Sequence, residues 1–438
     1  MAARSAALPE PPRVAIHERR LGNGLTVVSS PSAASPTVSV QVWYRVGSRD
    51  DPPGLSGFAH LFEHLMFKAT KNLAPEQFDR LTEDVGGSNN AFTTPDVTAY
   101  HEVVPANHLE TLLWAEAERM ANLVIDAANF ASERNVVQEE YRQSVLAAPY
   151  GRFSDAVRAR PYLAHPYRRS TIGSIEDLDR ATLADVVAFH ARHYRPGNAV
   201  LVVTGDFDPG QLDRSVDRWF GPIPDRATPP SAPTPEPPWP AERVVRLTGP
   251  SVPLPAVAVA WRAPPLGDAD LPALQIASAL LSAGEASRLN QALVYRTRLA
   301  RQASFDVDAR GGPGLLVATA IVAGGPSALG AARRALEAEI GALAGARPAT
   351  ADELARVRTQ LVTATLATRQ TPDGLGMALG EATAVEGRAE RVNEDLARLT
   401  AVDADAIARV LRRHVIGRPH MVLEYRQATA ASATEGRS

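Results

Sequence analysis

Nine prolines fall between Gly221 and Pro240, and that run constrains the fold more than any other feature. Proline lacks a backbone donor and fixes φ, so neither a helix nor a central strand passes through such a stretch. A segment of this kind is extended and stiff, at roughly 3 Å per residue. Residues 223–242 are therefore expected to form a linker between two folded halves. That division suits a chain of 438 residues, which is too long for one ordinary core. The halves also read as weak copies of each other. Pro36-Thr-Val-Ser-Val-Gln-Val-Trp43 alternates as a half-buried strand, and Pro255-Ala-Val-Ala-Val-Ala-Trp261 repeats the pattern.

Helical periodicity predicts helices over 109–121, 132–147, 182–193, 327–342 and 350–369, with late strands over 199–204 and 420–425. Strands mixed with hairpins and long helices imply an α+β fold of two homologous domains, 14–222 and 243–427. The tail, 428–438, is small and polar and is expected to be disordered.

Composition narrows the function classes. Hydrophobic residues at 45% and charged residues at 22% match an ordinary globular chain. The net charge of −3 comes from 46 basic and 49 acidic side chains in mixed order. No basic face is offered to nucleic acid or anionic lipid, so neither is expected as a partner. No apolar run approaches the roughly 18–20 residues of a spanning helix, and 1–13 has no apolar stretch of the signal-peptide kind. A leader removed beforehand would leave no such trace. The absence of cysteine excludes disulfides, thiolate catalysis and every thiolate metal site. Any metal must be held by His, Asp or Glu.

Such a set occurs in Ser56-Gly-Phe-Ala-His60-Leu-Phe-Glu63-His64-Leu-Met-Phe67. Ser56 is the expected N-cap of a helix. His60 and His64, four residues apart, share one helical face, and both imidazoles can reach one ion at roughly 2.0–2.1 Å. Glu63 lies beside them, placed to accept a proton from a water activated by zinc. The bland alternative is three polar residues on a solvated face. Phe58, Leu61, Phe62, Leu65, Met66 and Phe67 argue against it, because they make the helix apolar nearly all round. A polar trio buried there is costly without a partner.

A catalytic zinc site takes three protein ligands and leaves the fourth position open. The best source of the third is the segment 132–144. Glu133, Val136, Val137, Glu140 and Ser144 follow the spacing of one helical face, placing Glu140 on the core side, whereas Glu139 falls about 100° round the helix. Glu140 is read as the ligand, and Glu133 as a carboxylate behind it that orients or neutralises the site. An ordinary amphipathic helix with one misplaced acid fits the same spacing.

These residues resemble the inverted-motif zinc peptidases of the insulinase and pitrilysin type, especially the half-length branch that includes the mitochondrial processing peptidase β subunit. The likeness covers nearly the whole first half. It rests on Asn23-Gly-Leu-Thr-Val27, Val46-Gly-Ser-Arg49, Gly57 through Phe67, Gly86-Gly-Ser-Asn-Asn-Ala-Phe-Thr93, Glu133 through Glu140, Arg195-Pro-Gly-Asn-Ala199 and Gly205-Asp206. The resemblance implies that each half is a mainly antiparallel sheet with helices on one face, and that four such units enclose a chamber. It implies one zinc ion per chain on His60, His64 and Glu140, with Glu63 as the general base and Glu133 assisting. It further implies that a peptide substrate adds as a strand along Asn90, Ala91, Phe92 and Thr93. Pro95, two residues on, suits an edge strand, although a purely structural strand ending in a turn would read the same way. Bacterial relatives of this shape are often exported, which points to the periplasm, with the cytoplasm as the alternative.

The second half departs from the family. Ser287-Arg288-Leu289 matches a helix start after which an Arg and a Tyr seven residues apart normally contact substrate, but those places hold Val294 and Arg301. Tyr295, Arg296 and Arg298 stand close by in a shifted register. No His-x-x-Glu-His recurs there. The expectation is a zinc-dependent endopeptidase split between chains, with a homologous subunit that lacks the zinc motif supplying the Arg/Tyr pair in a heterodimer. The rival readings are a scaffold subunit that keeps the metal but cleaves nothing, and a peptidase that trims one specific presequence.

Overall fold

The computed structural model describes residues 13–225 and 234–428. Residues 226–233 of the proline-rich linker, and the expected disordered tail from 429 onward, lie outside the described residues. Strands β1 (His17–Arg20), β2 (Thr26–Pro31), β3 (Thr37–Tyr44), β4 (Ser88–Thr93), β5 (Thr98–Pro105) and β6 (Ala199–Gly205) form a six-stranded sheet in the order β1-β2-β6-β3-β5-β4. Strands β7 (Arg243–Gly249), β8 (Ala256–Ala263), β9 (Ala300–Asp308), β10 (Gly314–Val322) and β11 (Met421–Gln427) form a second sheet, ordered β7-β11-β8-β10-β9. With β1 set aside, the two orders correspond strand for strand. Each sheet has one parallel pair, β2 with β6 and β7 with β11, and is otherwise antiparallel. The repeat suggested by the two alternating strands is thus a repeat of topology.

The first half carries α1 (Phe58–Leu65), α2 (Gln77–Glu83), α3 (Leu109–Asn122), α4 (Ala127–Tyr141), α5 (Gly151–Ala159), α6 (Ile175–Arg180), α7 (Leu183–His193) and α8 (Pro209–Trp219). The second carries α9 (Leu271–Ser282), α10 (Leu329–Ala344), α11 (Ala351–Thr368), α12 (Pro372–Ala384), α13 (Arg391–Thr400) and α14 (Ala404–His414). The helix expected over 132–147 starts earlier, where the Asp126 side chain accepts from Asn129 N at 2.8 Å, and it ends in a π-helical turn over 142–147.

Alternation in β3 sends Val38, Val40, Val42 and Tyr44 into a core shared with α1, α3 and α7. The other face is not solvated, as half-burial would require, for Ser39 and Gln41 are fully buried. The reason is α12, which crosses from the second half to cover that face. Gln41 donates from Nε2 to the Asp373 carbonyl at 3.0 Å, Trp43 Nε1 donates to Gln41 Oε1 at 3.0 Å, and Thr204 Oγ1 donates to the Pro372 carbonyl at 2.6 Å. The exchange is reciprocal. Phe153 and Ala156 of α5, with Tyr162 and Tyr167, pack on the alanine face of β8 and on Leu423 and Tyr425 of β11. Within the proline run, Glu236 accepts from the backbone N–H groups of Leu163, Ala164 and His165 at 2.7, 3.0 and 2.7 Å. Each sheet therefore has its own helices on one face and a helix lent by the other half on the opposite face. No helix among the described residues is long and apolar enough to cross a membrane.

Candidate metal centre

The entry to α1 is tightly built. Gly57 sits at φ +98°, where a Cβ would lie 3.0 Å from both Gly173 Cα and the Ile172 carbonyl oxygen; only glycine adopts that turn at so close a crossing. The expected cap, Ser56, instead turns to Asp177, donating from Oγ at 2.6 Å and from its backbone N at 3.0 Å. The first turn is held by buried Asp51, whose carboxylate oxygens accept from Gly57 N at 2.7 Å and Ala59 N at 2.9 Å. An acid eight residues before Ala59 lies outside the local spacing that identifies a cap in sequence. Farther along, Tyr100 OH donates to the Phe62 carbonyl at 3.2 Å. Beneath it the fully buried Arg119 pairs with Glu102 at 2.9 Å and with Glu116, its guanidinium lying 4.5 Å from the Tyr100 ring centroid.

On this fixed helix, His60 and His64 each place Nε2 3.6 Å from Oε2 of Glu140, contributed by α4. One donor atom from each of the three residues lies within 4.8 Å of the others. These separations exceed a hydrogen bond and approach the roughly 3.4 Å edge expected between donors about 2.1 Å from a tetrahedral ion. Two imidazole nitrogens and one carboxylate are also a catalytic zinc donor set, so the residues present fit that ion. Glu139, next in sequence, faces away and pairs with Arg142 and Gln143.

Glu133 is 5% exposed, with Oε2 3.6 Å from His64 Nδ1 and Oε1 2.9 Å from Lys68 Nζ. It thus backs His64 from the side opposite Glu140. Burial drives the pKa of His60 down to about 4. Burial also opposes a charge on His64, but Glu133 and Glu140 outweigh it and lift His64 to about 9. Burial raises Glu63, against the hydrogen bond donated by Thr93 and the nearby His64. Between them the carboxylates draw positive charge to the point where the three donors converge.

Two residues of α4 expected on the core side are not buried there: Val136 is 46% exposed and the Glu140 side chain 44%. The buried face runs through Phe130, Glu133 and Val137, with Gln138 donating to Asp179 at 2.7 Å. Lys68 was missed, although its place four residues after His64 continues the spacing of the ligands and offered the signal.

Asn90, Ala91, Phe92 and Thr93 lie on β4, the edge strand beside α1. Ala91 N is taken by its neighbour's side chain, Asn90 Oδ1, at 2.8 Å, so this N–H stands outside the sheet ladder. A cleft of about 1610 Å³ between the halves is lined by His60, Glu63, Ala91 through Val97 and, from the second half, Asp306 through Gly311. Val294, Tyr295, Arg296, Arg298 and Arg301 do not line it. Arg288 is used structurally, paired with Glu353 at 2.7 and 2.9 Å beside the cap of α11.

Comparison with known proteins gives a consistent picture. Residues 26–174 match the family model described as insulinase (peptidase family M16), and 180–361 match the model described as the peptidase M16 inactive domain. Zinc protease PqqE of Helicobacter pylori is 36% identical over 287 residues, covering 65% of this chain and 64% of that protein. This chain therefore spans less than two thirds of that relative's length. Among solved structures, a protease from Helicobacter pylori superposes with a TM-score of 0.89 at 27% identity, covering 94% of this chain and 99% of that one. The periplasmic protease PqqL from Escherichia coli shares the fold, with a TM-score of 0.77 at 19% identity. There, 99% of this chain matches 49% of a longer one.

Proposed function

The chain belongs to the M16 (insulinase) peptidase family, and from that premise we propose that it is a zinc-dependent endopeptidase with its metal-bearing unit at 14–222 and a homologous metal-free unit at 243–427. The observation that carries the reading is the meeting of His60, His64 and Glu140 from two separate helices around one point, with Glu63 alongside. Zinc bound there supplies Lewis-acid polarisation of a carbonyl and a water acidified toward a pKa of about 7. Manganese or cobalt would suit the same donors in vitro.

The side chains do the rest. His64 is held in orientation by Glu133, which Lys68 neutralises on its other oxygen. Glu63 takes the proton of the attacking water and later returns it to the leaving amine. The peptide lies along β4 and pairs with the outward backbone groups from Asn90 to Thr93, once the Asn90 side chain releases Ala91 N. Backbone pairing is largely indifferent to side chains, so the substrates are unfolded peptides that fit the cleft.

A second chain completes the site. None of the candidate Arg and Tyr positions of this chain reaches its own cleft, and the supplier is a homologous subunit without the zinc motif. Full turnover by this chain purified alone would refute that division of labour. The test of the base is Glu63→Gln. Turnover of unrelated short peptides is expected to be abolished while metal analysis still finds one zinc per chain, and activity near wild type would overturn the assignment.

A further inference from the structure

Thr93, at the end of β4, donates from Oγ1 to Oε2 of Glu63 at 2.6 Å. From this contact we infer that Thr93 is a positioning residue for the base, its hydroxyl orienting Glu63 from the same strand whose outward backbone is offered to the peptide. The inference rests on the reading of Glu63 as the base.

The geometry separates the two tasks of the strand. Successive side chains of a strand point to opposite faces. Phe92 goes to the far face, its ring 5.3 Å from that of Trp43, whereas Ala91 packs with the core around α1. Thr93 shares the face of Ala91 and so reaches α1, leaving the outward backbone of β4 to the peptide. The hydroxyl contact therefore persists when a peptide is added. The hydroxyl engages Oε2 of Glu63 and so fixes the rotation of the carboxylate. A β-branched side chain has few χ1 states, so the donor stays aimed.

The turn after Thr93 is equally fixed. Thr94 Oγ1 accepts from Asp96 N at 3.1 Å and Val97 N at 3.0 Å. Asp96, 6% exposed, accepts from Arg49, from Tyr167 OH and, across the cleft, from Gly311 N at 2.9 Å. The strand end that carries Thr93 is thus anchored on both halves of the chain.

The test compares Thr93→Val, which keeps the shape and loses the hydroxyl, with Thr93→Ser, which keeps the hydroxyl. It uses the enzyme as purified from its native source with any accompanying subunit, and a quenched-fluorescent oligopeptide as substrate. General acid–base catalysis contributes about 10²–10⁴-fold, and loss of its alignment is expected to lower kcat by about 10–100-fold. KM and zinc affinity are expected to hold, and Thr93→Ser to recover most of the loss. A readout independent of turnover is the melting temperature of the zinc-free chain, where Thr93→Val should lower Tm in the wild-type background but not in Glu63→Ala. A rise in KM at constant kcat would make Thr93 a peptide subsite and overturn the inference. So would equal loss in the Ser and Val variants, or a Tm effect that survives in Glu63→Ala. If Glu63→Gln itself stays active, the fault lies in the base assignment; if Glu63→Gln is dead and Thr93→Val is fully active, only this inference fails.

Discussion

The Glu133 carboxylate has two oxygens with two different duties. One lies 3.6 Å from His64 Nδ1 and the other 2.9 Å from Lys68, so a buried charge is shared between an imidazole to be oriented and a cation that neutralises it. Removing such a backing group typically lowers metal affinity about 10–100-fold, and Glu133→Ala is expected to fall in that range by chelator competition. Glu140→Gln replaces an anionic donor by a neutral amide oxygen and is expected to lose more. The same contrast should appear on heating. A ligand that binds only the folded state at 100 times its Kd stabilises by about 2.7 kcal/mol, so chelation should lower Tm in wild type and leave Glu140→Gln almost unmoved. At this scale the sequence was legible where spacing along one helix decides which side chains meet, for His60 and His64 converge with Glu140 while Glu139 turns to Arg142 and Gln143. It was illegible where the partner comes from elsewhere in the chain. Asp51 rather than Ser56 holds the first turn of α1, and Val136 is exposed because α4 meets the core along Phe130, Glu133 and Val137.

Elements were readable where their periodicity was long and one face was plainly apolar. Helices α3, α7, α10 and α11 and strands β3, β6, β8 and β11 lie within two residues of their expected ends. The exchanged helix α12 was not readable. Its sequence, Pro-Asp-Gly-Leu-Gly-Met-Ala-Leu-Gly-Glu-Ala-Thr-Ala, is rich in glycine, which weakens a helix by roughly 0.5–1 kcal/mol per residue relative to alanine. The glycines are needed for close approach. A Cβ on Gly380 would lie 2.1 Å from the Trp43 ring, and one on Gly376 would lie 2.5 Å from the Gln41 amide. Gly380→Ala should therefore push α12 off the sheet and cost about 1–3 kcal/mol, as overpacking does. Gly341 in α10 is the control, since a Cβ there meets nothing within 4 Å. Gly341→Ala is expected to stabilise by about 0.5–1 kcal/mol. Urea titrations of both variants measure the difference, and equal effects would show that the contact of α12 with Trp43 does not depend on glycine.

For the whole molecule, the exchange of helices outweighs the linker. A chain of two beads on a proline-rich strap would come apart when the strap is cut. Here Leu379, Ala382 and Val392 of the second half are buried with Val28, Trp43 and Val202 of the first, and Phe153 and Tyr167 of the first are buried with Leu423 and Tyr425 of the second. Each large apolar side chain so buried is worth about 1.5–3 kcal/mol relative to exposure, and several on each side exceed what a strap contributes by holding two pieces near each other. Polar clasps add direction, with Asp96 reaching Gly311 N at 2.9 Å and Tyr162 OH donating to the Pro313 carbonyl at 2.7 Å. The two halves are therefore expected to move as one shell, leaving any opening of a chamber to the join with a second chain. A protease site placed between 226 and 233 tests this directly. The nicked protein should elute as one particle of unchanged size and melt in one transition, with zinc still bound. Two separating fragments, or two transitions, would mean that the halves are tied mainly by the linker and that the cleft can open within a single chain.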